Sequence, residues 1–242
     1  MSEKLTKEMT VGAIVAANFN RAEVLENMGI DYCCHGSDTL EEASRKVNLQ
    51  PEDVIARLDR EVAKGGSAPD FSEWPLDLLL DYVLKKHHRN FHLYHEDLLR
   101  LVEKVASVHG GRHPELLDVK NAVAQSIIDL DKHFAKEEQD VFPRLYDMYR
   151  AVEEECKGEQ CSCRYSSIDD SIKQLMLEHD EAGDTWQHIA DLTGNFTTPA
   201  DGCNSFRLMN AKLHQFFTDL KEHIGLENNL IFPGFLEIEK HC

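Results

Sequence analysis

Lys132–Pro143 reads KHFAKEEQDVFP, and Glu222–Pro233 reads EHIGLENNLIFP. At an offset of 90 residues, His133 falls on His223, Glu137 on Glu227, Phe142 on Phe232 and Pro143 on Pro233. A second correspondence lies upstream, where His88 precedes His133 by 45 residues and His179 precedes His223 by 44. Each half of this region is therefore a histidine, a long span, and then His-x-x-x-Glu: a duplicated helical hairpin. Residues four apart on an α-helix share a face about one turn from each other, so the His and Glu of each copy can reach one metal. His88 lies 22 residues before Gly110 and His133 lies 22 after Gly111. A rise of about 1.5 Å per residue, up one helix and down the next, returns both to a similar height. A single His-x-x-x-Glu is ordinarily a surface polar pair. Two copies, each followed by Phe-Pro and each preceded by a matched histidine, point to a metal centre.

Around these segments the apolar residues recur at helical spacing and strand signals are nearly absent. Four long helical stretches are expected: Pro75 to Val108, Pro114 to Tyr149, Ile168 to Leu192 and Cys203 to Ile238. The breaks HGGRHP, KGEQCSC and TGNFTTPADG separate them. The arrangement predicted is all-α, an up-down-up-down four-helix bundle. Residues 1–62 read as short helices. VGAIVAANFNRAEVLENMGI is amphipathic, DTLEEASRKVNL opens on an Asp or Thr able to cap a helix, and Pro51 stands near a helix start. The GGSAPD stretch, Gly65–Asp70, is a linker signature. It sets the expected division into a small helical domain, 1–66, and the bundle, 71–242.

The chain has 242 residues and a formal net charge of −18, with 44 acidic against 26 basic side chains. Nucleic acids and anionic membranes need a basic face, so neither is an expected partner. No secretory signal and no run of membrane-spanning length is visible, and a cytoplasmic location is expected. Seven cysteines, an odd count, argue for reduced thiols or redox chemistry over a disulfide framework.

The bundle offers His88, His133, His179 and His223 with Glu137 and Glu227. That inventory suits two metals, each with two imidazoles, bridged by two carboxylates. Mixed N/O ligation with open positions favours iron over manganese or zinc. His87 adjoins His88 but points about 100° away around the helix. His92 is one turn from His88, as an extra ligand or a donor behind the ligands, and His95 lies near that face. His109 and His113 fall in a predicted loop, as solvent or capping residues. Tyr82, Tyr146 and Tyr149 are expected to pack in the core. Glu138, Asp180 and Glu181 are read as a solvated helix face, with a contact behind the ligands or an ion entry path as the alternative.

Asp31–Gly36, DYCCHG, places Cys33 and Cys34 beside a histidine. Because the bundle supplies a metal set without them, a redox or transfer role is favoured over a buried structural pair. These thiols would approach the metal centre or pair across a dimer. Cys156, Cys161 and Cys163 in EEECKGEQCSCRYSS are read as incidental thiols of an exposed loop, with metal binding or a redox pair as the alternative.

DYCCHG, KEEQDVFP, EHDEAGD and HIGLENNLIFP together resemble the repair of iron centres (RIC) family, di-iron proteins related to hemerythrins. The resemblance runs from about Val11 to Phe235. It implies a hemerythrin-like bundle with two non-haem irons in a carboxylate-bridged centre, with an oxo bridge as a further option. The ligands implied are His88, His133, His179 and His223, with Glu137 and Glu227 bridging. His109 matches a histidine considered in the family, but its loop position argues against direct ligation. The function implied is repair of iron–sulfur clusters after oxidative or nitrosative damage, by iron donation or by reduction of nitric oxide to nitrous oxide. The expected partners are damaged iron–sulfur proteins, with nitric oxide or oxygen as small ligands, and the expected assembly is a homodimer. The alternatives are a hemerythrin-like oxygen or nitric oxide binding or sensing protein, and an iron store or ferroxidase. The EEECKGEQCSCRYSS segment departs from the family pattern as an insertion.

Overall fold

A computed structural model describes residues 4–62, 69–155 and 167–241. Cys156, Cys161, Cys163 and most of the GGSAPD linker lie outside the described residues. Every regular element among the described residues is helical; the one β feature there is an isolated bridge between Thr10 and Thr39. The all-α expectation holds. No helix among the described residues is long and apolar enough to cross a membrane.

Two compact units are present. The first comprises Met1–Leu80, Tyr146–Asp169 and Ile224–Cys242. Its N-terminal part holds four helices: α1 (Val11–Ala17), α2 (Arg21–Glu26), α3 (Leu40–Lys46) and α4 (Pro51–Val62). The amphipathic run Val11–Ile30 is thus two helices. Asn18 adopts an extended conformation and its side chain accepts from the Asn20 amide, which ends the first and turns the chain. Thr39, not Asp38, caps α3, forming a reciprocal capping box with Glu42. Pro51 is the first residue of α4, where its missing N–H costs nothing.

The second unit comprises Asp81–Leu145 and Asp170–His223. It contains the middle of four rods: 76–109, 115–155, 169–192 and 204–241. The first rod is α5 (Leu76–Tyr82), a π-helical stretch (Val83–His88) and α6 (Arg89–His109). The second is α7 (Glu115–Lys136), a π turn (Glu137–Val141) and α8 (Phe142–Glu155). The third is α9 (Asp169–Leu192), and the fourth is α10 (Asn204–Leu226), a π turn (Glu227–Ile231) and α11 (Phe232–His241). Within this unit the rods face one another as an up-down-up-down bundle. Phe91 of α6 meets Phe134 of α7 and Phe216 of α10, and Trp186 of α9 stacks on Phe216 at 4.4 Å and donates to Ser126 of α7 at 2.8 Å.

Sequence periodicity treats these rods as unbroken α-helix, and the π turns are the departure. The Phe142 amide donates to the Glu137 carbonyl and the Phe232 amide to that of Glu227, both five residues back. Pro143 and Pro233 follow directly and have no N–H to continue an α ladder. At each Phe-Pro pair a wide turn opens whose first residue is the glutamate, while the π-helical stretch Val83–His88 forms without a proline.

Candidate metal centre

Four helical segments of the second unit bring His88, His133, Glu137, His179 and His223 together. All five are buried. Ligand atoms of His88, Glu137 and His223 lie within 4.8 Å of one another, and so do those of His133, Glu137 and His179. Glu137 belongs to both groups. Its Oε2 lies 3.4 Å from Nε2 of His88, and its Oε1 lies 3.3 Å from Nε2 of His133 and 3.9 Å from that of His179. Glu227 opens the π turn that continues the helix of His223, and is fully buried, the same local setting as Glu137 after His133.

The carboxylates behind the histidines set the ring tautomers. Glu138 accepts from Nδ1 of His88 at 3.0 Å and from Nε2 of His92 at 3.0 Å. Glu178 accepts from Nδ1 of His133 at 3.0 Å and pairs with Lys136. The histidine hydrogen bonds hold both carboxyls down to about 2, against the opposing effect of burial. A carboxylate only accepts, so each Nδ1 carries the proton. In the neutral ring Nε2 is then a bare lone pair, aimed at Glu137.

That geometry tests whether a metal fits. Neither oxygen of Glu137 accepts a well-formed hydrogen bond among the described residues, and Nε2 of His133 and of His179 face each other at 3.0 Å. A buried carboxylate that faces the bare Nε2 of His88 and of His133 is costly unless something positive sits between them. Buried imidazole and carboxylate donors converging on one another suit a cation, and their chemistry suits iron.

The surroundings correct several expectations. Glu138 is not a solvated acid: it orients His88. Glu178, which sequence reasoning did not single out, does the same for His133; in the sequence it stands out only as the neighbour of His179 in EHDEAGD and has no spacing signal of its own. Glu181 is exposed, as expected. His92 reaches Glu138 and is 42% exposed, so it stands behind the ligands. His87 is buried, stacked on His223 at 5.6 Å, with Nδ1 3.1 Å from Asp219. His95 stacks on Phe91 and bonds its carbonyl. Tyr82 is half-buried and donates to Glu222 at 3.0 Å rather than packing in the core, and Tyr146 and Tyr149 are also only half-buried. His109 is the last residue of α6 and buried, not a loop residue, and lies 21 positions from His88. His113 is largely buried between Glu115 and Asp201. A cavity of about 1060 Å³ between α6 and α10 is lined by His87, Phe91, Phe134, Asp219 and His223, giving a route to the buried rings.

In the first unit, the Asp31–Gly36 loop is tied to the turn that carries Glu227. Asn228 donates to the Cys33 carbonyl at 2.9 Å, and Asn229 donates to the Tyr32 carbonyl at 3.0 Å. No disulfide joins Cys33 and Cys34, whose sulfurs lie 3.6 Å apart. Asp31 accepts from both cysteine amides and from His35. The hydrogen bond with Cys34 and burial raise the Cys33 thiol well above its ordinary range, so it is protonated at neutral pH.

Two family models match the chain. One is a domain of unknown function, DUF542, over residues 7–61. The other is the hemerythrin HHE cation binding domain, over residues 79–235. The chain belongs to the hemerythrin HHE cation-binding family. Among curated proteins, it is 29% identical over 233 residues to the iron-sulfur cluster repair protein YtfE of Yersinia pseudotuberculosis serotype IB (strain PB1/+), covering 96% of this chain and 99% of that protein. The same figures hold for the protein of that name from Yersinia pestis (strain Pestoides F). The family read from the motifs is thereby borne out.

Proposed function

We propose that this protein binds two irons and serves the repair of iron–sulfur clusters damaged by oxidative or nitrosative stress. The observation that carries the metal part is Glu137, whose two oxygens face two histidine groups that share it. In this reading His88 and His223 hold one iron, and His133 and His179 the other. Glu137 would bridge them, and Glu227, its counterpart in the duplicated segment, would be the second bridge. The repair part is supported by near full-length likeness to the Yersinia repair proteins.

Bound iron would supply redox and Lewis-acid chemistry towards nitric oxide or oxygen, and is itself the cargo where it is donated to a damaged cluster. The protein's own groups prepare the site for it. Glu138 and Glu178 hold the Nδ1 protons so that Nε2 lone pairs face inward. Phe134 and Phe142 stack on His88 and exclude water. The cavity beside His223 admits a small ligand. Cys33 and Cys34 act as redox or transfer thiols; the hydrogen bonds from Asn228 and Asn229 support this by anchoring them to the turn of Glu227. The division into 1–66 and 71–242 is supported by the spans of the two family models. A homodimer in the cytoplasm completes the reading.

Metal analysis with Mössbauer spectroscopy on anaerobically purified protein tests it. Two irons per chain in one coupled pair are expected, and His133→Ala or Glu137→Ala abolishes the pair. Unchanged iron in both variants refutes the ligand set. Reactivation of a nitric oxide-damaged iron–sulfur enzyme by the loaded protein, lost in Cys33→Ala plus Cys34→Ala, tests repair and the thiols. Gel filtration tests the dimer.

A further inference from the structure

The second unit holds a cysteine–histidine pair that the metal centre does not use. His109 ends α6, 21 residues beyond His88, and Cys203 precedes α10, 20 residues before His223. At about 1.5 Å per residue both lie some 30 Å along their helices from those histidines. Cys203 is exposed and directly precedes the first turn of α10. Nε2 of His109 lies 3.2 Å from that sulfur.

His109 makes this more than a capping thiol. The ring is 4% exposed, and its Nδ1 has no hydrogen-bond partner among the described residues. The one polar group it meets there is the thiol. The ring also packs on Phe206 at 5.4 Å, and these contacts have to offset the solvation given up at Nδ1. The charged neighbours are accounted for. His113, 6.5 Å from the His109 ring, is held by Glu115 and Asp201, each at 3.1 Å. Arg112 pairs with Asp201 at 3.0 Å, and Arg207 bonds the Gly202 carbonyl and the Asn204 side chain. Glu115 and Asp201 therefore have hydrogen-bond partners of their own.

We propose that Cys203 and His109 act as a hydrogen-bonded cysteine–histidine pair and that Cys203 is a site of oxidation by hydrogen peroxide, separate from the metal centre. The Cys203 sulfur attacks one peroxide oxygen, an S–O bond forms and the O–O bond breaks. The departing hydroxide takes the proton shared by the Cys203 sulfur and Nε2 of His109. The products are the sulfenic acid and one water, and the imidazole is left unchanged. A small thiol then condenses with the sulfenic acid, releasing water and leaving a mixed disulfide at an accessible position.

Geometry and acidity agree. The Phe206 amide first, and His109 second, hold the thiol down to about 7. Against an ordinary cysteine near 8.5, that raises the thiolate fraction at pH 7 about 16-fold. The lower basicity takes back about fivefold in nucleophilicity, leaving a net gain of about three- to fourfold.

The test is alkylation of the intact protein as purified by iodoacetamide between pH 5.5 and 9.5, with Cys203 followed by mass spectrometry of its peptide. The rate should rise with a midpoint near pH 7, and dimedone should trap Cys203 after peroxide treatment at that pH. His109→Leu should move the midpoint up and lower the rate at pH 7, while Cys203→Ser should keep its iron content. A wild-type midpoint at or above 8.5 overturns the proposal, and this holds even if the histidine variant does not fold. A low midpoint unmoved by His109→Leu overturns the pair, and absence of dimedone adduct at Cys203 overturns the oxidation.

Discussion

Replacing Glu178 by alanine removes no expected ligand, yet it should weaken iron binding about 10- to 100-fold, or about 1.4–2.7 kcal/mol. The estimate rests on one contact. Glu178 accepts from Nδ1 of His133 at 3.0 Å and is only 17% exposed, so water replaces it poorly. Without it the Nδ1 proton loses its partner, and the tautomer with a bare Nε2 facing Glu137 loses its advantage. Ring orientation is lost as well. Glu178→Gln should fall between wild type and alanine, because its amide oxygen still accepts but the charge is gone. The Glu138→Ala loss should be smaller, since Glu138 is more exposed, at 32%, and divides its acceptor between His88 and His92. The assay is anaerobic competition for ferrous iron against a chelator of known affinity, with circular dichroism as a check on folding. A folded Glu178→Ala protein that holds two irons as tightly as wild type refutes the reasoning.

Three further outcomes follow from the same contacts. In the metal-free protein, Glu138 and Glu178 have folded pKa values near 2 against an unfolded value of about 4.3, so their stabilisation is complete above the unfolded value and is lost as pH falls towards 2. Thermal unfolding across pH 5 to 2 should show that loss, and Glu138→Gln with Glu178→Gln should flatten it. Ser126→Ala strands the buried Trp186 indole N–H, now bonded at 2.8 Å, and should cost about 1–3 kcal/mol in urea unfolding; a loss below about 0.5 kcal/mol would contradict the bond's role. Gly225→Ala places a Cβ 2.7 Å from the buried Tyr32 ring and should cost about 1–3 kcal/mol while speeding alkylation of Cys34; unchanged stability and labelling would show that the loop yields freely.

The four rods were legible because apolar periodicity needs only local sequence, and the first and third end within a residue of their expected limits. Val11–Ile30 was less legible: nothing in its pattern reveals that Asn18 turns the chain, because the Asx turn competes locally with the helix. The Phe-Pro pairs were visible, but only as marks of duplication. The π turn beside each pair, opening at Glu137 and at Glu227, depends on which carbonyl each phenylalanine amide reaches.

The sequence by itself determined an all-α chain, a duplicated hairpin and a set of imidazole and carboxylate side chains at helical spacing. Period and residue chemistry are carried by near neighbours. Only the tertiary structure decided which acids stand behind which histidines: Glu138 answers His88 from 50 residues away and Glu178 answers His133 from 45. It also decided that Asn228 reaches the Cys33 carbonyl across 195 residues, and that His109 meets Cys203 instead of solvent. Such contacts join side chains with no common period. They exist only once helices pack, and packing excludes water from groups that must then find one another.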